Sequence, residues 1–136
     1  MRHPLHSALI HFPIACWSLA VATDFASLYF GEPAWRWSAG LLATGCGIAV
    51  PTILTGLLEL SRAPEGAPMQ DAYWHMAAML LALTLFTTRL LLRVDHLQIV
   101  APNTASLWID ATGFLSLTVG GWLGGRLVYE HGVGTR

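Results

Sequence analysis

Four long apolar segments separated by short polar turns constrain this sequence more than any other feature. A helix needs about 20 apolar residues to cross the roughly 30 Å hydrocarbon core of a bilayer. The four segments comprise residues 7–30, 37–60, 72–94 and 106–128. The sequence therefore predicts an all-α membrane protein in which residues 1–136 form one domain of four transmembrane helices.

The composition excludes a soluble protein. Hydrophobic residues make up 54% of the chain and charged residues only 11%, whereas a soluble domain carries about 25% charged residues. A formal net charge of −1 provides no basic field for phosphates, which excludes nucleic acid as a partner. The GxSxG, HExxH and CxxC motifs are absent from the sequence, which disfavours hydrolase chemistry.

Short connections favour antiparallel neighbours, so we expect an up-down bundle in which the first and third helices are diagonal. Four spans put both termini on one side of the membrane. The arginines on that side outnumber those on the other by four to three, which favours cytoplasmic termini in a bacterial inner membrane. They are Arg2, Arg62, Arg126 and Arg136, against Arg36, Arg89 and Arg93.

Charged side chains within the spans are costly in hydrocarbon and need an explanation. Asp24, Arg89 and Asp110 are expected at similar depth on three different helices. Opposite charges in that arrangement can pair and fix the register of the helices. We therefore interpret them as structural ion pairs, with a proton or ion path as the alternative.

Histidines gather near the end of the bundle that carries the termini. His11, His75 and His131 lie at comparable depth on three helices, and imidazole is a common ligand of haem iron and of other metals. His11 and His75 on the diagonal helices predict the axial ligands of a haem, with His131 in reserve. The sequence has no CxxCH attachment motif, so the haem would be of the non-covalent b type.

His6 precedes His11 by five residues, about 140° around an ideal helix, so the two should not both face one target.

A haem protein of this kind would pass electrons between a quinone or a soluble redox carrier and a partner. If the chain is an enzyme, its chemistry is then redox and not hydrolysis.

Two other interpretations remain open. His11, His75 and His131 with Glu59 or Glu130 could form a non-haem metal site for transport or sensing. Alternatively, the chain could be a cofactor-free structural or assembly subunit of a membrane complex.

The run HPLHSALIHFPIACWSLAVATD at residues 3–24 resembles the opening of a bacterial family of four-helix membrane proteins, domain of unknown function 2231. The first histidine of the family pattern matches His6, and HFPIA matches residues 11–15, whereas Ser7 replaces the family's proline. DAYWHM, with His75, and GGWLGGRLVYEHGVG at residues 120–134 look like two further family motifs. Some relatives carry a fused Rieske-type iron–sulfur domain, so the resemblance implies a redox partner.

Overall fold

The computed structural model describes residues 5–62, 66 and 68–133, and the described chain is mostly helical. Its helices and strands follow in the order α1 (Leu5–Leu9), α2 (His11–Phe30), α3 (Glu32–Leu60), α4 (Met69–Leu92), β1 (Val94–Asp95), β2 (Gln98–Ile99) and α5 (Thr104–Tyr129).

Helices α1 and α2 form one apolar span, Leu5–Phe30, with a local break at Ile10. Pro13 accounts for the break, because it has no N–H to donate to the carbonyl of Leu9. Gly31 connects α2 to α3 with a φ of +67°, a conformation that favours glycine. Helix α3 begins at Glu32 with Pro33 in its first turn, where proline is tolerated, and so starts five residues before the predicted span.

A two-stranded antiparallel ribbon connects α4 to α5, where the sequence predicts only a loop. The two residues at its tip, His96 and Leu97, both have positive φ, at 46° and 64°. This conformation suits the twist of a two-residue hairpin turn. The side chain of Asn103 then accepts a hydrogen bond from the Ser106 N–H at 2.9 Å and caps the start of α5.

Three of the described helical segments are long and apolar enough to cross a membrane: Leu5–Phe30, Glu32–Leu60 and Met69–Leu92. Helix α5 has 26 residues and is therefore also long enough. It is not among the three, because its glycines and hydroxyl residues, together with Asp110 and Arg126, reduce its hydropathy.

The helices pack as two antiparallel hairpins, α2 with α3 and α4 with α5. Helices α2 and α4 face each other across the centre, where Trp17 and Phe86 stack with their ring centroids 4.9 Å apart. Gly45 and Gly113 make room for these rings: a Cβ at Gly45 would lie 2.6 Å from Trp17, and one at Gly113 would lie 3.1 Å from Phe86. Many large apolar side chains point outward, as expected of helices in lipid.

A buried network of charges joins three helices at the end of the molecule near the ribbon. Arg89 Nε donates to Asp110 Oδ1 at 2.7 Å, and Arg89 Nη2 donates to Asp24 Oδ2 at 2.6 Å. All three side chains are at most 1% exposed. The grouping is the one expected from the sequence, and each charge has an opposite charge beside it.

Arg93 joins this network, although the ion pairs predicted from the sequence did not include it. Its Nη2 donates to both carboxylate oxygens of Asp24 and to Ser38 Oγ, and its Nη1 donates to the Val100 carbonyl. Two arginines and two aspartates thus balance in charge. Within this network, Arg93 Nε and Asp110 Oδ2 have no hydrogen-bond partner among the described residues, although both are buried.

We expect Arg89→Met to lower the free energy of unfolding by about 3–5 kcal/mol, because it leaves Asp110 buried without its cation. Adding Asp110→Leu should recover much of the loss, since Asp24 keeps Arg93 as its partner. A double-mutant cycle of unfolding in detergent measures this coupling. The exposed pair Glu32 and Arg36 is the control, with an expected coupling below about 1 kcal/mol. Additive losses at Arg89 and Asp110 would contradict the pairing.

Candidate histidine ligand site

His6 lies against helix α3 at the end of the molecule opposite the charge network. Its Nδ1 is 2.8 Å from the carbonyl oxygen of Thr52. The ring rests on Gly56, where a Cβ would lie 2.9 Å from its Nδ1 and Cε1 atoms. A side chain at position 56 would therefore displace the imidazole from the carbonyl.

His75 has a matching environment on the other hairpin. Its Nδ1 is 2.7 Å from the carbonyl oxygen of Gly120. The ring rests on Gly124, where a Cβ would lie 3.0 Å from its Cε1. In both cases the acceptor carbonyl and the glycine are four residues apart on one helix, so they lie on the same face.

These hydrogen bonds determine which ring nitrogen carries the proton. A carbonyl oxygen only accepts, so Nδ1 is the donor in both His6 and His75. In the neutral ring Nε2 then carries a lone pair, and among the described residues neither Nε2 has a partner. A metal-ligating histidine typically donates its other ring N–H to a carbonyl or carboxylate in this way.

The two histidines occupy the same end of the molecule, on the two helical segments that face each other across the centre. Each hairpin therefore presents one imidazole Nε2, without a partner among the described residues, at this end of the molecule.

His11, the first choice from the sequence, is exposed on the outer face of α2. His6 instead is half-buried against α3. The two histidines point in different directions, as expected from their separation around the helix. His131 is also exposed, and its Nε2 is 3.1 Å from Asp71 Oδ2. Neither His11 nor His131 accompanies the His6 and His75 pair.

Glu59 accepts a hydrogen bond from the backbone N–H of His6 at 3.3 Å, so it holds the start of α1 and does not orient an imidazole. The described residues contain no group of three or more His, Cys, Asp or Glu side chains that could hold a metal ion. The expected cluster of His11, His75, His131 and Glu59 is thus not assembled in the described part of the chain. Glu130, the alternative carboxylate, pairs instead with Arg126 at 3.1 Å.

Cationic groups lie near the same end. Arg126 is partly exposed, with Nη2 3.2 Å from Asp71 Oδ2, and Arg62 is exposed. Arg2 and Arg136, the other two arginines expected on the side of the termini, lie outside the described residues.

Comparison with known proteins gives one match. No curated protein and no solved structure matches the chain. Residues 2–136 match the family described as Predicted membrane protein (DUF2231), and the chain therefore belongs to that family.

Proposed function

We propose that this protein is a membrane-bound, b-type haem protein for electron transfer, with the iron between His6 and His75. The observation that supports it is the paired hydrogen bonding: each Nδ1–H donates to a backbone carbonyl, at 2.8 and 2.7 Å, which leaves each Nε2 available as a ligand. The haem is the cofactor expected from the sequence, with His6 in the ligand role that the sequence assigned to His11.

The residues at this end fit the chemistry of a bis-imidazole haem. Bound haem would supply a one-electron carrier, and His6 and His75 would hold it through their neutral imidazole nitrogens. The carbonyls of Thr52 and Gly120 would hold the rings in one tautomer and strengthen them as ligands. Arg62 and Arg126 are described cations near this end of the molecule, and they would be available to pair with the haem propionate groups.

The proposal includes a fourth membrane span formed by α5. Its neighbour α4 is a candidate span, the two helices pack along an antiparallel hairpin, and α5 is 26 residues long. Four crossings in an up-down bundle put both termini on one side, which the arginine distribution makes the cytoplasmic side of a bacterial inner membrane. A quinone or a redox protein, of Rieske type by analogy with relatives, would exchange electrons with the haem.

Purified protein expressed with ample haem should show a Soret band and the reduced spectrum of low-spin b-type haem. His6→Ala and His75→Ala should each abolish the low-spin spectrum, because each removes one axial nitrogen. His11→Ala and His96→Ala are matched controls on exposed positions and should leave it unchanged. Absorbance of the oxidised and reduced protein in detergent measures these outcomes.

A folded wild-type protein without a Soret band would contradict the haem proposal and favour a cofactor-free subunit. Loss of the spectrum in His11→Ala, with retention in His6→Ala, would restore the ligand choice made from sequence alone.

Reporter fusions test the four crossings. Reporters placed after Gly66 and after Arg136 should report the same side of the membrane, because two spans separate them. A reporter near Asn103, in the connection before α5, should report the opposite side. Disagreement between the Gly66 and Arg136 reporters would show that α5 does not cross.

A further inference from the structure

The two hairpins share a repeated pattern of burial and several repeated residues. Each residue in 5–20 shares its degree of burial with the residue 69 positions later, on α4. The second helices correspond with a shift of 68 positions. There the pattern Ser-x4-Ala-Thr-Gly occurs at residues 38–45 and again at residues 106–113. Parallel repeats related by an axis along the membrane normal occur in several transporter folds.

The contacts of the histidines repeat with the same shifts. His6 corresponds to His75, and the seat of each ring corresponds as well: Gly56 to Gly124, and the carbonyl of residue 52 to that of residue 120. The seats therefore match in both the hydrogen bond and the glycine contact.

The aromatic pair at the centre repeats in the same way. Trp17 corresponds to Phe86, and each ring covers a glycine of its own hairpin, Gly45 or Gly113, which also correspond. The aromatic residue follows the histidine by eleven positions in both hairpins, and the second glycine follows the first by eleven positions as well.

Corresponding residues also meet each other across the centre. Trp17 stacks on Phe86, and Arg93 donates to its counterpart Asp24. A residue that contacts its own counterpart lies beside the axis that relates the two copies. Because these contacts occur at two different levels along α2 and α4, the axis runs along the helices.

We infer that the protein is a tandem repeat of one helical hairpin, and that His6 and His75 are the two equivalent halves of a single ligand site on its approximate two-fold axis. Gly56 and Gly124 are the corresponding positioning residues. The inference rests on the proposed function only for the identity of the ligand.

A site on the two-fold axis selects a ligand that presents the same chemistry to both halves of the protein. A metal tetrapyrrole would do so, since His6 and His75 would supply the same imidazole nitrogen to it from the two hairpins. The site therefore takes one haem per chain, and both hairpins contribute equally to its binding.

The first experiment titrates the full-length protein with iron protoporphyrin IX in detergent. Gly56→Ala and Gly124→Ala should each weaken binding by about 10- to 100-fold, because each displaces one ring from its carbonyl. Gly47→Ala and Gly121→Ala are the controls, since a Cβ at either position meets nothing within 4 Å. The wild type should bind one haem per chain.

The second experiment needs no ligand. Gly124→Ala should lower the melting temperature of the protein, but should have little effect in a His75→Ala background, where no ring occupies the seat. Gly56→Ala should behave in the same way with and without His6→Ala. This arm remains informative if a glycine variant alone does not fold, because the double variant restores the space.

The two arms separate the two proposals. Equal losses of haem affinity together with both couplings support the inference. If no haem binds but both couplings are found, the proposed function fails and the equivalent seats remain. If haem binds but only one glycine and its histidine matter, or if two haems bind per chain, the two-fold site is overturned.

Discussion

The buried pairing of Asp24 with Arg89 and Arg93 is the interaction on which the rest of the architecture depends. Isolated charges in a low-dielectric interior are very costly, so each must find a partner when the helices assemble. Asp24 lies on α2, whereas Arg89 lies on α4 and Arg93 directly follows it, and Asp110 on α5 completes the balance. The pairing therefore joins the two hairpins at one end and sets the register of α2 against α4. That register in turn aligns Trp17 with Phe86.

The charged residues of the network differ between the two hairpins, although the hairpins otherwise correspond. Three network positions in the second hairpin, Arg89, Arg93 and Asp110, are charged. Their counterparts in the first hairpin are Ala20, Asp24 and Leu42. Two first hairpins brought together would oppose aspartate to aspartate, and two second hairpins would oppose arginine to arginine. Only the pairing of a first with a second hairpin satisfies the charges, so the departure from symmetry specifies the assembly of unlike halves.

The sequence predicted the helical segments well, since apolar length alone defines them, and the family resemblance is confirmed over residues 2–136. It also grouped Asp24, Arg89 and Asp110 by depth, and the structure brings these three together. Arg93 lies within the predicted span but was left out of that group, since depth alone does not show that Asp24 has a second arginine as partner. Depth alone could not show which histidine of the first span faces the interior. His6 faces inward only because Gly56 admits its ring. The repeated spacing of His6 to Trp17 and of His75 to Phe86 was the signal that could have identified it.

The histidine end and the charged end are separated by an apolar core. Between them lie the stacked rings of Trp17 and Phe86, flanked by buried Ala20, Leu42, Ala82 and Leu117. A proton or ion path along the bundle needs a continuous file of polar groups, whereas the described cluster at this level offers only the indole N–H of Trp17. This supports a structural role for the charge network. A haem at His6 and His75 would accordingly exchange electrons with partners on the side of the termini, while the opposite end holds the two halves together.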